Sequence, residues 1–176
     1  MPNFGSFLAT SRSNKLPSVG VGNATTESIF NGSDSNQLQL AIEGSGVLNM
    51  RPFRVRVWGR TTGGTTTNVT IALYLGTNAT FSNNTKLATT GAVACNSTSG
   101  NFFLETYMLY DTTSNKIQGY FWGFSNGVAV SPTVQSAAVT GFSDTAEGQG
   151  LTVTALFSAT NAGNTAFIDG FELIPE

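Results

Sequence analysis

From residue 37 onward, apolar and polar positions alternate with a period of two. "QLQLAIEG" (37–44) sets Leu38, Leu40 and Ile42 on one face. "PFRVRVWGR" (52–60) alternates cleanly, with Phe53, Val55 and Val57 facing one way and Arg54, Arg56, Trp58 and Arg60 the other. "NVTIALYLG" (68–76) aligns Val69, Ile71, Leu73 and Leu75, and "LTVTALFSAT" (151–160) aligns Leu151, Val153, Ala155 and Phe157. "NFFLETYMLYD" (101–111), "KIQGYFWGFS" (116–125) and "TAFIDGFELIP" (165–175) carry bulky residues on both faces. Alternation, β-branched and aromatic enrichment, and turn residues every ten or so positions predict β-strands. No stretch predicts a helix beyond one short turn within 81–92.

The intervening segments fit this reading. "TTGGTTT" is expected to close a first hairpin. "DTTSN" (111–115) has the length of a type I turn with a bulge and closes a second. "SATNAGNT" (158–165) joins the last pair, with Asn161 or Gly163 available for a left-handed residue. Gly119 and Gly123 fall inside a strand, which signals a bulge or a close backbone approach. About seven or eight strands predict an all-β fold. Its form is a two-sheet antiparallel sandwich, jelly-roll-like rather than a closed barrel.

Residues 1–36 break the pattern. They are rich in Ser, Asn and Gly, with scattered Phe4, Phe7, Leu8, Leu16, Val19, Val21, Ile29 and Phe30. They are read as an N-terminal arm ahead of a sandwich domain at 37–176. Phe4, Phe7 and Leu8 are its candidate contacts with a neighbouring subunit, since an apolar tail gains by burial.

Composition narrows the function. The chain has 176 residues, one domain's worth, of which 10% are charged, with a formal net charge of −2. No basic field is present to hold a nucleic-acid backbone. No apolar run of membrane-spanning length occurs, and the N-terminus lacks a basic start followed by an apolar run. His is absent and Cys95 is the single cysteine, so neither an internal disulfide nor a zinc, copper or haem site is expected. No cofactor is expected. Asp144 and Glu147 in "FSDTAEGQG" read as a solvated loop before a calcium site. Without His, a serine nucleophile lacks its usual base. Glu105 and Glu172 are the carboxylates a glycosidase would use, but a strand carboxylate on the solvent face, or paired with an arginine, is the commoner arrangement. The chain is therefore expected not to be an enzyme.

Two constellations suit contact instead. Arg51, Arg54, Arg56 and Arg60 supply four of the eight cations and, after Arg51, share a face with Trp58. They form either a solvated face or an interface that pairs with a partner's acids. "GYFWGF" (119–124) sets Tyr120, Trp122 and Phe124 on one face, read first as core, second as subunit contact and third as a sugar platform.

"FRVRVWGRTTGGTTTNVTIALYLGTNATFSNNTKLATT", "FFLETYMLYDTTSNKIQGYFWGF" and "LTVTALFSATNAGNTAFIDGFELI" together resemble small β-sandwich structural proteins of tailed bacteriophages. The likeness covers roughly residues 50–175 and lies in strand-and-turn order. Capsid decoration (cement) proteins are nearest in character. The resemblance implies a jelly-roll-like body on the outer capsid as a homotrimer. Its partners would be the major capsid protein and its own copies, with the arm reaching across shell subunits. It also implies synthesis in the host cytoplasm and residence on the virion exterior. It carries no site residues over; the contact candidates from the pattern are Arg54, Arg56, Trp58, Arg60, Tyr120 and Trp122. The alternative from the residues is a carbohydrate-binding module or a tail-fibre, receptor-binding domain.

Overall fold

A computed structural model describes residues 25–30, 40–42, 52–64, 66–76, 81–95, 100–111, 113–114, 116–138 and 149–175. These form eleven strands: β1 (Ser28–Ile29), β2 (Leu40–Ile42), β3 (Pro52–Thr62), β4 (Asn68–Gly76), β5 (Thr85–Thr89), β6 (Val93–Ala94), β7 (Gly100–Asp111), β8 (Lys116–Ser125), β9 (Val128–Ala138), β10 (Gln149–Phe157) and β11 (Thr165–Pro175). A single 3-10 turn at Phe81–Asn83 precedes β5, within the segment where one turn is predicted.

The fold is an all-β sandwich of two antiparallel sheets. One runs β11-β3-β7-β8-β9. The other runs β10-β4-β5, with β1 and β2 end to end along the outer side of β10 and β6 beside β4. Alternation sorts the side chains as the pattern predicts. Phe53, Val55 and Val57 of β3, Val69, Ile71, Leu73 and Leu75 of β4, and Val153, Ala155 and Phe157 of β10 are fully buried between the sheets. Apart from Ala155, each such side chain contributes roughly 1.5–3 kcal/mol of burial, so the inner faces fix strand register: a one-residue slip would turn them all outward. Phe30, just after β1, is buried in this core, so the described end of the 1–36 stretch packs on the sandwich. Phe4, Phe7, Leu8 and Arg51 lie outside the described residues, as do Asp144 and Glu147.

Two expected hairpins are crossovers instead. β3 and β4 lie in different sheets, so 63–67 carries the chain across the sandwich; the same holds for 158–164 between β10 and β11. The two crossings pack together. A Cβ on Gly63 would fall 2.8 Å from Cys95 Cβ and 2.9 Å from Asn164 Oδ1. Asn161 closes its turn through its side chain, which accepts from the Gly163 N–H at 2.9 Å. The positive-φ residues among those described are Gly91, Asn126 and Gly127, not Asn161 or Gly163. β7 and β8 do form the expected hairpin, Asp111 pairing Lys116. The sequence reading missed β9, joined to β8 by Asn126-Gly127 at φ 51° and 79°. Both values suit a type I′ turn, the favoured two-residue hairpin link.

Candidate functional site

The outer face of the five-stranded sheet collects the polar and aromatic residues that alternation excludes from the core. Register places them in rows. Ile174, Arg54, Tyr107 and Tyr120 lie side by side across β11, β3, β7 and β8. Next come Glu172, Arg56, Glu105 and Trp122, then Gly170, Trp58, Phe103 and Phe124. Phe167, Arg60 and Asn101 follow.

The aromatic row of β8 faces solvent. Tyr120, Trp122 and Phe124 are 45%, 41% and 37% exposed, so the expectation that ranked them first as core is corrected. Alternation sends Ile117 and Phe121 inward instead, and both are buried. Gly119 and Gly123 share that inner side, and a Cβ on either would lie about 2 Å from a β7 carbonyl oxygen (2.0 Å from Tyr107 O and 2.1 Å from Phe103 O). That is the close approach the two glycines signal. The exposed rings lean on β7: Tyr120 stacks on Tyr107 with centroids 5.7 Å apart, and Phe124 on Phe103 at 6.0 Å. Phe103 also meets Trp122 at 5.3 Å and 49°.

The charges on this face are compensated within the chain. Arg56 Nε donates to Glu105 Oε2, and Arg56 Nη1 lies 3.6 Å from Glu172 Oε2. Trp122 Nε1 donates to the other Glu105 oxygen at 2.9 Å. Burial pushes the Glu105 carboxyl up, but its hydrogen bonds from Arg56 and Trp122 and the charges of Arg56 and Arg54 outweigh this and hold it below the usual glutamate range. Arg60 grips Asp169 with a two-pronged fork, Nε to Oδ2 and Nη2 to Oδ1, both 2.8 Å. Those bonds hold the Arg60 guanidinium above its ordinary value. The guanidinium also sits 5.5 Å above the Phe167 ring.

Asp169 reaches Arg60 because β11 is bulged. The register shifts between Ile168 and Gly170, leaving Asp169 as the extra residue. The same bulge sets Gly170 opposite Trp58. A Cβ there would fall 1.9 Å from Trp58 Cζ2 and 2.0 Å from Cε2, so the indole lies over the glycine backbone. Trp58 remains 39% exposed. Around it the sheet dips into a shallow depression of about 660 Å³, walled by the Arg56–Glu105 and Arg60–Asp169 pairs, Asn101, Phe103, Trp122, Phe124 and Glu172.

The structure thus brings together Arg54, Arg56, Trp58, Arg60, Tyr120 and Trp122 on one face. The sequence reading missed Asn101, Phe103, Asp169 and Gly170 as members of it. "DG" inside a strand pattern is the signal that would have found the bulge. Among the described residues no three Asp, Glu, Cys or His side chains gather as a metal ion would need. No described helix is long and apolar enough to cross a membrane.

No protein-family model matches the chain, and no curated protein does. A solved structure is faintly similar: the catalytic domain of a glycoside hydrolase family 131 protein from Coprinopsis cinerea. The match covers 76% of this chain and 63% of that one, at 14% identity and a TM-score of 0.34. A likeness at that level carries no argument about activity or ligand.

Proposed function

We propose that the chain is a non-catalytic structural protein of a bacteriophage particle, of the decoration or cement kind. It sits on the outer capsid as a homotrimer and stabilises the shell. The observation that carries this reading is the outer face of the five-stranded sheet. It exposes Trp58, Tyr120, Trp122 and Phe124, while Glu105, Asp169 and Glu172 on the same face each lie against an arginine. Exposed aromatics suit contact. The Glu105 carboxyl, held below the usual glutamate range by Arg56 and Trp122, does not suit a general acid, and carboxylates engaged by arginine are not free nucleophiles.

The strand-and-turn order over residues 50–175 supports the same reading, as does a chain with 10% charged residues. Few charges leave little to desolvate when copies dock permanently. The stretch ahead of Glu27 would reach across shell subunits, with Glu27–Phe30 anchoring it to the sandwich, so many modest contacts add into high avidity. The sheet face is then a second contact surface, held outward on a stiff frame.

The test is rebinding of the purified full chain to particles stripped of it. Saturable recovery of resistance to heat or chelation supports the reading. Particles equally sturdy without the chain overturn it. Light scattering at high concentration tests the trimer separately.

A further inference from the structure

The depression at Trp58 has the make-up of a ligand subsite, and we propose that it binds a neutral saccharide, with a pyranose ring stacked on the indole. The inference rests on reading the outer sheet face as a contact surface, and it names what one part of that face contacts.

Three observations carry it. The first is the seat of the indole. Gly170 leaves no Cβ beneath Trp58, so the ring lies against the backbone of β11, and the residue remains 39% exposed. Tyr107 and Tyr120, and Phe103 and Phe124, instead stack on one another, which covers one face of each ring with its neighbour. Trp58 and Trp122 are the exposed rings of the depression outside these stacked pairs, Trp122 being tilted 49° against Phe103. Trp58 is the one seated on a glycine, so its apolar surface can meet the C–H face of a pyranose.

The second is the ring of polar groups around it. Arg60 uses two of its five N–H groups on Asp169. Glu172 stands 3.6 Å from Arg56 and is half-buried. Asn101 lies in the row beside Arg60. Arg60 and Glu172 are held in place by their pairing with Asp169 and Arg56, which suits fixed hydroxyl directions. A depression of about 660 Å³ is of the size that small-ligand sites occupy.

The third is charge. Arg54, Arg56, Arg60 and Lys116 share this face with Glu105, Asp111, Asp169 and Glu172, four cations against four anions among its described residues. A polyanion or a polycation would find its own sign here as often as the opposite one. An uncharged, hydroxyl-rich ligand meets no such penalty. Shell protein is the competing occupant. It would need the exposed rings of β8 together with Trp58, whereas a single pyranose needs only the indole and its polar rim.

The experiment titrates the full chain with neutral gluco-, galacto- and manno-oligosaccharides and with polygalacturonate, following tryptophan fluorescence and calorimetry. The expected result is saturable binding of at least one neutral series and none of polygalacturonate. Trp58→Ala should weaken binding roughly 3- to 10-fold or more, Trp58→Phe less, and Lys86→Ala, on the other sheet, should leave it unchanged. Asp169→Asn, which disturbs the polar rim with the indole in place, should weaken it as well. Circular dichroism establishes that each variant folds. No saturable neutral-sugar binding at about 10 mM, ten times a millimolar Kd, overturns the inference. Tighter binding of polygalacturonate also overturns it. Loss of particle rebinding in Trp58→Ala without any sugar binding overturns it too, and assigns the face to shell protein while the decoration reading stands. Sugar binding without rebinding to particles upholds the inference and sinks the decoration reading.

Discussion

Glu105 receives the indole N–H of Trp122 at 2.9 Å, on the oxygen that the Arg56 guanidinium does not hold. One carboxylate thereby joins three strands, because Arg56 is on β3, Glu105 on β7 and Trp122 on β8. Glu105 is 8% exposed, so these bonds act in a partly dry setting that strengthens them.

Glu105→Gln should therefore destabilise the sandwich by about 1 kcal/mol, a modest figure because the Arg56 side chain is a third exposed. The pH dependence has a definite sign. The carboxyl is held below its ordinary value in the folded chain. Its contribution is thus present above the unfolded glutamate value, about 4.3, and is lost as pH falls through the lower folded value. Urea midpoints measured from pH 7 downward should fall less steeply at the acid end in the variant. Identical slopes would show that Glu105 does not set acid stability.

Asn126 ties the β8–β9 turn to both sheets. Its side chain accepts from Thr61 Oγ1 at 2.9 Å and donates to Ala94 O at 2.8 Å, while its N–H donates to Asn101 O at 2.7 Å. Asn126→Ala should cost about 2 kcal/mol, from two lost side-chain hydrogen bonds and from φ 51° without an Asn side chain. Asn126→Gly keeps the backbone freedom and isolates the hydrogen bonds, at about 1 kcal/mol. Equal losses in the two variants, read from thermal or urea unfolding, would remove the backbone part of the account.

The face of β3 was legible in the sequence, since Phe53, Val55 and Val57 go in and Arg54, Arg56, Trp58 and Arg60 go out as a period of two requires. Sheet membership was not. The links 63–67 and 158–164 have hairpin lengths, yet each spans the ~10 Å between sheets, and length does not distinguish the two uses. The site was half legible for a related reason. Arg56 meets an acid 49 residues away and Arg60 one 109 residues away. Those pairs follow from strand order and from the β11 bulge, which local alternation does not encode. The Asn126-Gly127 turn was written plainly in the sequence, and β9 with it, but its Ser- and Ala-containing strand lacks the bulky alternation of its neighbours.

Tyr74 sits on the other sheet and is 5% exposed. Its hydroxyl donates to Glu27 Oε1 and Oε2 at 2.9 and 3.0 Å, and Thr154 Oγ1 donates to the same carboxylate at 2.6 Å. These bonds fasten the segment ahead of β1 to β4 and β10. Burial, then the hydrogen bond to Glu27, then its charge hold the phenol well above its ordinary value. A raised value means the contribution is present below the unfolded tyrosine value, about 10, and is lost as pH rises toward the folded one. Tyr74→Phe should cost about 1 kcal/mol at neutral pH and reduce the late-titrating phenol absorbance in alkali. An unchanged late fraction would place the Tyr74 hydroxyl among the freely titrating ones.

Gly170 is the residue on which the posture of Trp58 depends. Adding a Cβ there places it 1.9 Å from Cζ2 and 2.6 Å from Cη2, closer than atoms approach, so Gly170→Ala must lift the indole from its seat. Two effects on stability oppose one another. Alanine in a strand is favoured over glycine by roughly 0.5–1 kcal/mol, while the displaced ring loses a similar amount of contact. Net stability should therefore stay within about 1 kcal/mol of the parent. The environment of the indole should not stay constant. In a Trp122→Phe background, where Trp58 is the remaining tryptophan of the chain's two, Gly170→Ala should shift the emission maximum to longer wavelength and raise quenching by iodide. A variant with unaltered emission and quenching would mean that the ring does not rest on Gly170, and the outward-facing posture on which sugar stacking depends would fall with it.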